Sequence, residues 1–403
     1  MKKTRITLED AVKLLCNHAN IITQAEDVPL LNAPGRILAQ DIYAVIDLPP
    51  FNRSAQDGYA ACSADLINAS PDMPAVLSVC DRLFAGNAPK QEIAPGKAVR
   101  IMTGAPIPLG ADCVVRQEDT DLGMETVKIY SSFAHNQNIC FQGEDVRAGA
   151  LLFHQGTRLD WTHIAALAGQ GYTKVQTYQL PKVAIMTTGD ELATPGSKLT
   201  KGHLYDSNGP MLCARISSLN MLPLLCPSAG DDTHSIAEQI ERNLTKCDIL
   251  LTTGGVSVGT KDCMLSVAET LGARILFHGL AAKPGSPALA MMINGKLIIC
   301  LSGNPFATVA IFETVVRPVL EYISGNRIKY PRQQCGILHG HFKKASPSRR
   351  LIRAKVEGNH VFIPEKGHSS GVVSTLADCN CLIDVPAGSP PLNNGDAVNI
   401  LLF

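Results

Sequence analysis

A glycine-rich turn rimmed by a carboxylate carries the clearest chemistry in this chain. In DILLTTGGVSVGTKD, residues 248–262, a buried-strand run from Asp248 to Leu251 leads into Gly254, Gly255, Ser257 and Gly259. Asp262 then opens a helix-like segment, DCMLSVAETLG, ending at Gly272. Glycines let the backbone turn sharply and lie against a ligand. Free N–H groups at a helix start attract an anion, most often a phosphate. A carboxylate beside that phosphate is repulsive unless a cation stands between them. The spacing therefore predicts a nucleotide- or pyrophosphate-bearing ligand with Mg2+. Alone, the turn reads equally well as an ordinary tight turn, because it matches neither the Walker pattern nor GxGxxG.

Repetition separates these readings. KVAIMTT (182–188) is followed by Gly189, Asp190 and Glu191. LPLLCP (222–227) is followed by Gly230, Asp231, Asp232 and the helix-like THSIAEQIERNL. RILFHGLA (274–281) precedes Lys283-Pro-Gly-Ser286-Pro287, and LIICL (297–301) precedes Ser302-Gly-Asn-Pro and a long apolar helix. Alternating strands and helices predict a mostly parallel sheet covered on both faces. The loops at the carboxyl ends of such strands share one rim, where ligands bind. Five loops carrying Gly, Asp, Glu and Lys then face one crevice, too concentrated a set for ordinary turns.

The remaining texture supplies the flanking elements. Thr7 and Asp10 resemble a capping box, with Leu8, Val12 and Leu15 on one face of a helix. Pro34-Gly35 introduces a second helical stretch. Short β-like runs fill 46–145, a helical pattern returns at WTHIAALAG, and the chain after Gly325 is β-rich again. The expected domains are a split helical unit (1–45 and 146–180), a β-rich insertion (46–145), an α/β unit (181–326) and a small all-β unit (327–403). In the β-rich part, FNRSAQDGYA adds Arg, Ser, Gln and Asp57 to what a turn needs, and Thr103 ends the strand of RIMTGAP.

Composition bounds the function. The 403 residues contain 36 Lys plus Arg and 36 Asp plus Glu, so no strong field draws nucleic acid or an anionic membrane. No signal-peptide core or run of about 18 apolar residues is present, which points to the cytoplasm. The thirteen cysteines lack a CxxC pair and read as reduced thiols. His339 and His341 read as solvent-facing strand residues.

The blocks FNRSAQDGYA, RIMTGAPIPLGADCVV, GEDVRAGALL, TTGDEL, LYDSNGPML, GGVSVGTKD, KPGSPALA and SGNPFATVAIFETVVRPVL stand in the order of the molybdopterin molybdenumtransferases. This family comprises bacterial MoeA proteins and the gephyrin E-domain, and the resemblance runs from about residue 7 to 403. It implies a multidomain α/β protein: a three-layer α/β domain, a split helical domain, a β-rich inserted domain and a C-terminal β-barrel. It implies a transferase that inserts molybdate into adenylylated molybdopterin with release of AMP, assisted by Mg2+. By motif match it implies catalytic roles for Asp57, Thr103, Glu191 and Lys283, and metal contacts from Asp190, Glu191 and Asp262. Ligand contacts are implied for Asp145, Asp231, Asp232, Gly254, Gly255, Ser257, Gly259, Ser286 and Ser370. Asp231 and Asp232 also precede a helix that either could cap. The resemblance further implies a homodimer with Asp57 and Thr103 reaching the partner's crevice, and the molybdopterin adenylyltransferase as a partner. The chain departs from the family at Ser286, where a lysine is usual, and at Ser302 and Gln56. Losing that lysine removes a positive charge, which keeps open a non-catalytic dimeric scaffold or pterin-binding paralogue. A nucleotidyltransferase would suit the α/β domain alone.

Overall fold

The computed structural model describes residues 5–256, 263–325, 332–365 and 369–403. Helix α1 (Leu8–His18) starts as its sequence predicts, with the Thr7 hydroxyl accepting from the Asp10 amide at 3.0 Å. Its face of Leu8, Ala11 and Leu15 is buried in the α/β core. The paired strands of the split unit lie in residues 25–45 and 151–178. There, strand Ala25–Pro29 pairs antiparallel with Lys174–Tyr178, and Ile42–Tyr43 with Leu151–Phe153. Asp160 caps α2 (Trp161–Gly169) in a capping box with His163. The helix expected after Pro34-Gly35 is absent. Gly35 takes φ +82° against Asn220, and the chain beyond it runs extended, with Ile37 and Leu38 bridging Arg158 and Thr177.

The inserted domain is a five-stranded mixed sheet in the order Cys113–Arg116, Gly58–Ala61, Lys97–Ile101, Ala75–Leu83, Thr126–Ile129. Strand Gly58–Ala61, paired on both edges, is buried on both faces: Tyr59 and Ala61 join one apolar cluster and Ala60 the other.

The α/β domain is a three-layer sandwich around a six-stranded sheet, ordered Leu222–Leu225, Lys182–Thr187, Ile249–Thr253, Lys296–Leu301, Leu289–Ile293, Arg274–His278. Leu289–Ile293 alone runs against the other strands. Side-chain alternation assigns the layers. Val183, Ile185, Ile249 and Leu251 pack with α1, α3 (Asn208–Ser218), α6 (Pro305–Ile311) and α7 (Arg317–Ile323). Ala184, Met186 and Leu250 pack with α4 (Thr233–Leu244) and α5 (Cys263–Thr270). Residues 312–316, between α6 and α7, form a π-helical turn. Within it the buried Glu313 accepts from Arg215 Nε at 2.6 Å and Arg317 Nη1 at 2.9 Å, fastening α3 to this helix.

The C-terminal strands Arg332–His339, Arg349–Glu357, His360–Phe362, Cys381–Val385 and Ala397–Leu402 close into a five-stranded barrel. The α/β domain contributes to its wall, since Ala282–Lys283 pairs in parallel with Arg349–Arg350. His339 is half-buried rather than solvent-facing. It stacks on Phe362 and shares a 2.7 Å ring-nitrogen contact with His360. Burial pushes the Cys113 and Cys381 thiols up to about 12. Among the described residues no helix is long and apolar enough to cross a membrane.

Candidate functional site

All five loops singled out in the sequence follow the five co-directional strands, so they share one rim. At its centre Gly254 and Gly255 have φ of +101° and +66°. A Cβ on Gly254 would stand 2.3 Å from the Thr188 carbonyl oxygen, so only glycine lets this turn lie against its neighbour. Ser257, Gly259 and Asp262 lie outside the described residues.

The neighbouring acidic loops converge. Asp190 Oδ1 accepts from the Asp231 amide at 3.0 Å. The Glu191 carboxylate folds back over Gly189, where a Cβ would come within 2.7 Å of it. Asp190 and Glu191 are both exposed, with hard oxygen ligands available. Asp232 is the N-cap of α4, its carboxylate accepting from the Ser235 amide at 2.8 Å. The bond shown for Asp232 is therefore the structural one allowed for it.

Beneath the rim lies a polar layer whose members went unremarked within LYDSNGPML. Buried Asp206 accepts from Thr187 Oγ1 and the Gly209 amide, each at 3.1 Å. Buried Asn208 donates to the Gly303 carbonyl at 2.8 Å, tying the start of α3 to the loop before α6. Its Oδ1 is buried with no partner among the described residues. Asp-Ser-Asn-Gly at a helix start was the available signal.

A second group gathers where the sandwich meets the barrel. Lys283 is paired in register with Arg350, and both line a cleft with Ser370, Phe306, Phe342 and Arg353. Arg353 is only 1% exposed. Its Nη2 donates to the Ser369 carbonyl at 2.6 Å, and its Nη1 to the Val372 carbonyl at 2.7 Å and Thr375 Oγ1 at 2.8 Å. Its guanidinium lies 4.0 Å from the Phe306 ring centroid, an attractive geometry. The Phe306 amide donates to the Ser370 carbonyl at 3.0 Å. Arg353 thus positions Ser370, while Lys283 and Arg350 supply charge. The two arginines come from a β-run that sequence alone marked only as barrel.

Ser286 is engaged elsewhere. Its hydroxyl donates to the Leu280 carbonyl at 3.1 Å while the Leu280 amide donates back to the Ser286 carbonyl at 2.8 Å. This closes the turn that presents Lys283. The bond shown for Ser286 is therefore a turn-locking one. Ser286→Ala should lower stability by about 1 kcal/mol, the worth of one such bond, with anion affinity unchanged. Thermal unfolding and molybdate titration of the same variant check both halves.

In the inserted domain the structure joins two residues chosen from separate motifs. Asp57 Oδ1 accepts from both the amide and the hydroxyl of Thr103, at 2.7 and 2.8 Å. These bonds, with a smaller contribution from the Arg100 charge, hold the Asp57 carboxyl below the usual aspartate range. Asp57 is therefore an ionised acceptor at neutral pH, and Thr103, its proton committed, offers lone pairs outward. Asp145 is exposed on the loop whose amides donate to the Leu48 carbonyl, at the junction of the inserted and helical units. Among the described residues no backbone–backbone hydrogen bond joins residues 46–145 to 182–325.

Comparison with known proteins matches the whole assembly. Residues 6–171 match the MoeA N-terminal region (domain I and II), 184–322 a probable molybdopterin binding domain, and 336–403 the MoeA C-terminal region (domain IV). The chain is 36% identical to the molybdopterin molybdenumtransferase of Staphylococcus epidermidis, covering 100% of this chain and 96% of the relative. It is 34% identical to that of Staphylococcus aureus over the same shares. The crystal structure of the molybdopterin biosynthesis protein MoeA from Pyrococcus horikoshii superposes with a TM-score of 0.85 at 32% identity, covering 99% of this chain and 100% of that one. With three domain matches in order and relatives similar from end to end, the chain belongs to the MoeA family of molybdopterin molybdenumtransferases.

Proposed function

We propose that this protein binds adenylylated molybdopterin and molybdate, joins the metal to the dithiolene and releases AMP. The observation that carries this reading is the Lys283–Arg350–Ser370 cleft beside the acid-rimmed glycine loop. It offers two anion-recognition features of different character, as a substrate pair of oxyanion and pyrophosphate requires. The glycine-loop amides and Lys283 would meet phosphate charge, while Arg350 and Ser370 would hold a tetrahedral dianion by charge and hydrogen bonding. In the reaction water opens the phosphoanhydride and AMP leaves. The dithiolene sulfurs take one molybdate oxygen's place, that oxygen departing with two thiol protons as water.

The donor set fits Mg2+. Among the described residues no group of three or more His, Cys, Asp or Glu converges into a complete cage. Mg2+ favours one or two carboxylates with waters and phosphate oxygens, which Asp190 and Glu191 beside a pyrophosphate provide. When bound, the ion would neutralise charge developing on the departing AMP. Asp262 is proposed as a further ligand. The test is AMP release from adenylylated molybdopterin with molybdate and Mg2+. Glu191→Gln should slow release about tenfold and raise the Mg2+ concentration needed. Failure of the unmodified protein to release AMP would overturn the reading in favour of a pterin-binding scaffold.

The site is read as shared between two copies. Asp57 and Thr103 lie on a domain with no described backbone–backbone hydrogen bond to its own α/β unit, which supports a reading in which the rim they serve is a partner's. Sedimentation at micromolar concentration should show a dimer; a fully active monomer would refute the shared site.

A further inference from the structure

We propose that the cleft beside the Asp57–Thr103 pair, framed by Arg82 and Arg100, holds the pterin ring system of the substrate. This rests on adenylylated molybdopterin being the substrate and assigns that molecule's far end a place. The cleft is lined by Arg82, Phe84, Arg100, Met102, Gln117 and Glu118, and Met102 immediately precedes Thr103. Arg82 and Arg100 are directly paired on adjacent parallel strands. Two like charges side by side on one sheet are unfavourable unless an electron-rich group lies between them. Arg100 is held in place: its guanidinium lies 4.8 Å from the Tyr59 ring centroid, and Nη2 donates to Gln117 Oε1 at 3.0 Å. Its Nη1 is buried and finds no acceptor among the described residues.

Glu118 decides which ligand suits this cleft. The Gln117 amide contacts the Glu118 carboxylate at 3.4 Å, so donors and a charged acceptor lie side by side. A phosphate or other polyanion would be repelled by that carboxylate. A pterin presents the matching edge: O4 accepts from guanidinium groups, while N3–H and the 2-amino group donate to a carboxylate. The flat ring would lie against Phe84 and Met102, which suits an aromatic and a polarisable thioether. Phe84 is 52% exposed, an apolar surface left for such a cover.

The test is fluorescence quenching of 6-hydroxymethylpterin by the full-length protein. Saturable quenching is expected. Arg82→Gln and Glu118→Gln should each weaken it about tenfold, the loss of one charged hydrogen bond. Arg100→Gln should weaken it further, but Arg100 also braces Tyr59, so the exposed Arg82 is the deciding variant, with a thermal melt to confirm its fold. AMP binding, measured separately, should be the same in Arg82→Gln as in the unmodified protein. Loss of AMP binding in the unmodified protein would count against the proposed reaction and leave the pterin result readable. No saturable quenching, or quenching unchanged in both Arg82→Gln and Glu118→Gln, would overturn the proposal.

Discussion

Asp57→Asn is expected to lower AMP release about a hundredfold or more, the typical cost of deleting one preorganised electrostatic group, while the protein stays folded. Asparagine retains an oxygen that can accept from the Thr103 amide and hydroxyl, the two bonds that place Asp57. Only the charge is lost. Because the folded carboxyl titrates below its ordinary value, the charged form adds stability above the ordinary aspartate range. That stability is lost as pH falls through the lowered folded value. The variant should therefore be slightly less stable than its parent at neutral pH, and the difference should vanish in strong acid. Single-turnover AMP release paired with pH-dependent melts reads both effects. Undiminished release would remove Asp57 from the reaction.

Gly58→Ala should be strongly destabilising to the inserted domain. A Cβ there would stand 1.8 Å from the Val115 carbonyl oxygen, on the strand paired with residues 58–61. Backbone cannot rotate away as a side chain can, so strand Gly58–Ala61 must separate from its neighbour. A destabilisation of roughly 3 kcal/mol or more is expected, at or above the upper end of ordinary overpacking. The loss should be confined to residues 46–145, whose core clusters are their own. Urea unfolding followed by limited proteolysis would locate it, and a melt matching the parent would contradict the geometry. Asp57 is the preceding residue, so activity should fall with the sheet.

The order of strands and helices in the α/β unit was legible because short continuous apolar runs and turn residues are local signals. They placed Asp190, Glu191, Asp231 and Lys283 on one rim without any coordinate. The Asp57–Thr103 bond was not legible: 46 residues separate the two, and only strand pairing brings them together. Arg350 and Arg353 were hidden for a related reason. A barrel strand of alternating residues does not announce which side chains point at another domain. The helix read after Pro34-Gly35 failed because pairing with residues 158 and 177 outweighed local propensity. Ser286 drew attention as a departure from the family pattern, yet its hydroxyl serves the turn.

The pairing of Ala282–Lys283 with Arg349–Arg350 bears on how such a protein could be divided. Leu351, Leu382 and Leu401 of the barrel lie in the same apolar cluster as α1 and the sandwich. Excising the α/β unit as a minimal fragment would strip cover from that cluster and leave the residues 282–283 edge open to other chains. The same cut would remove Arg350 from beside Lys283. Recombination at the domain boundary that sequence draws near residue 326 would thus split the anion cleft between donor and recipient. The heritable module here is the sandwich with its barrel.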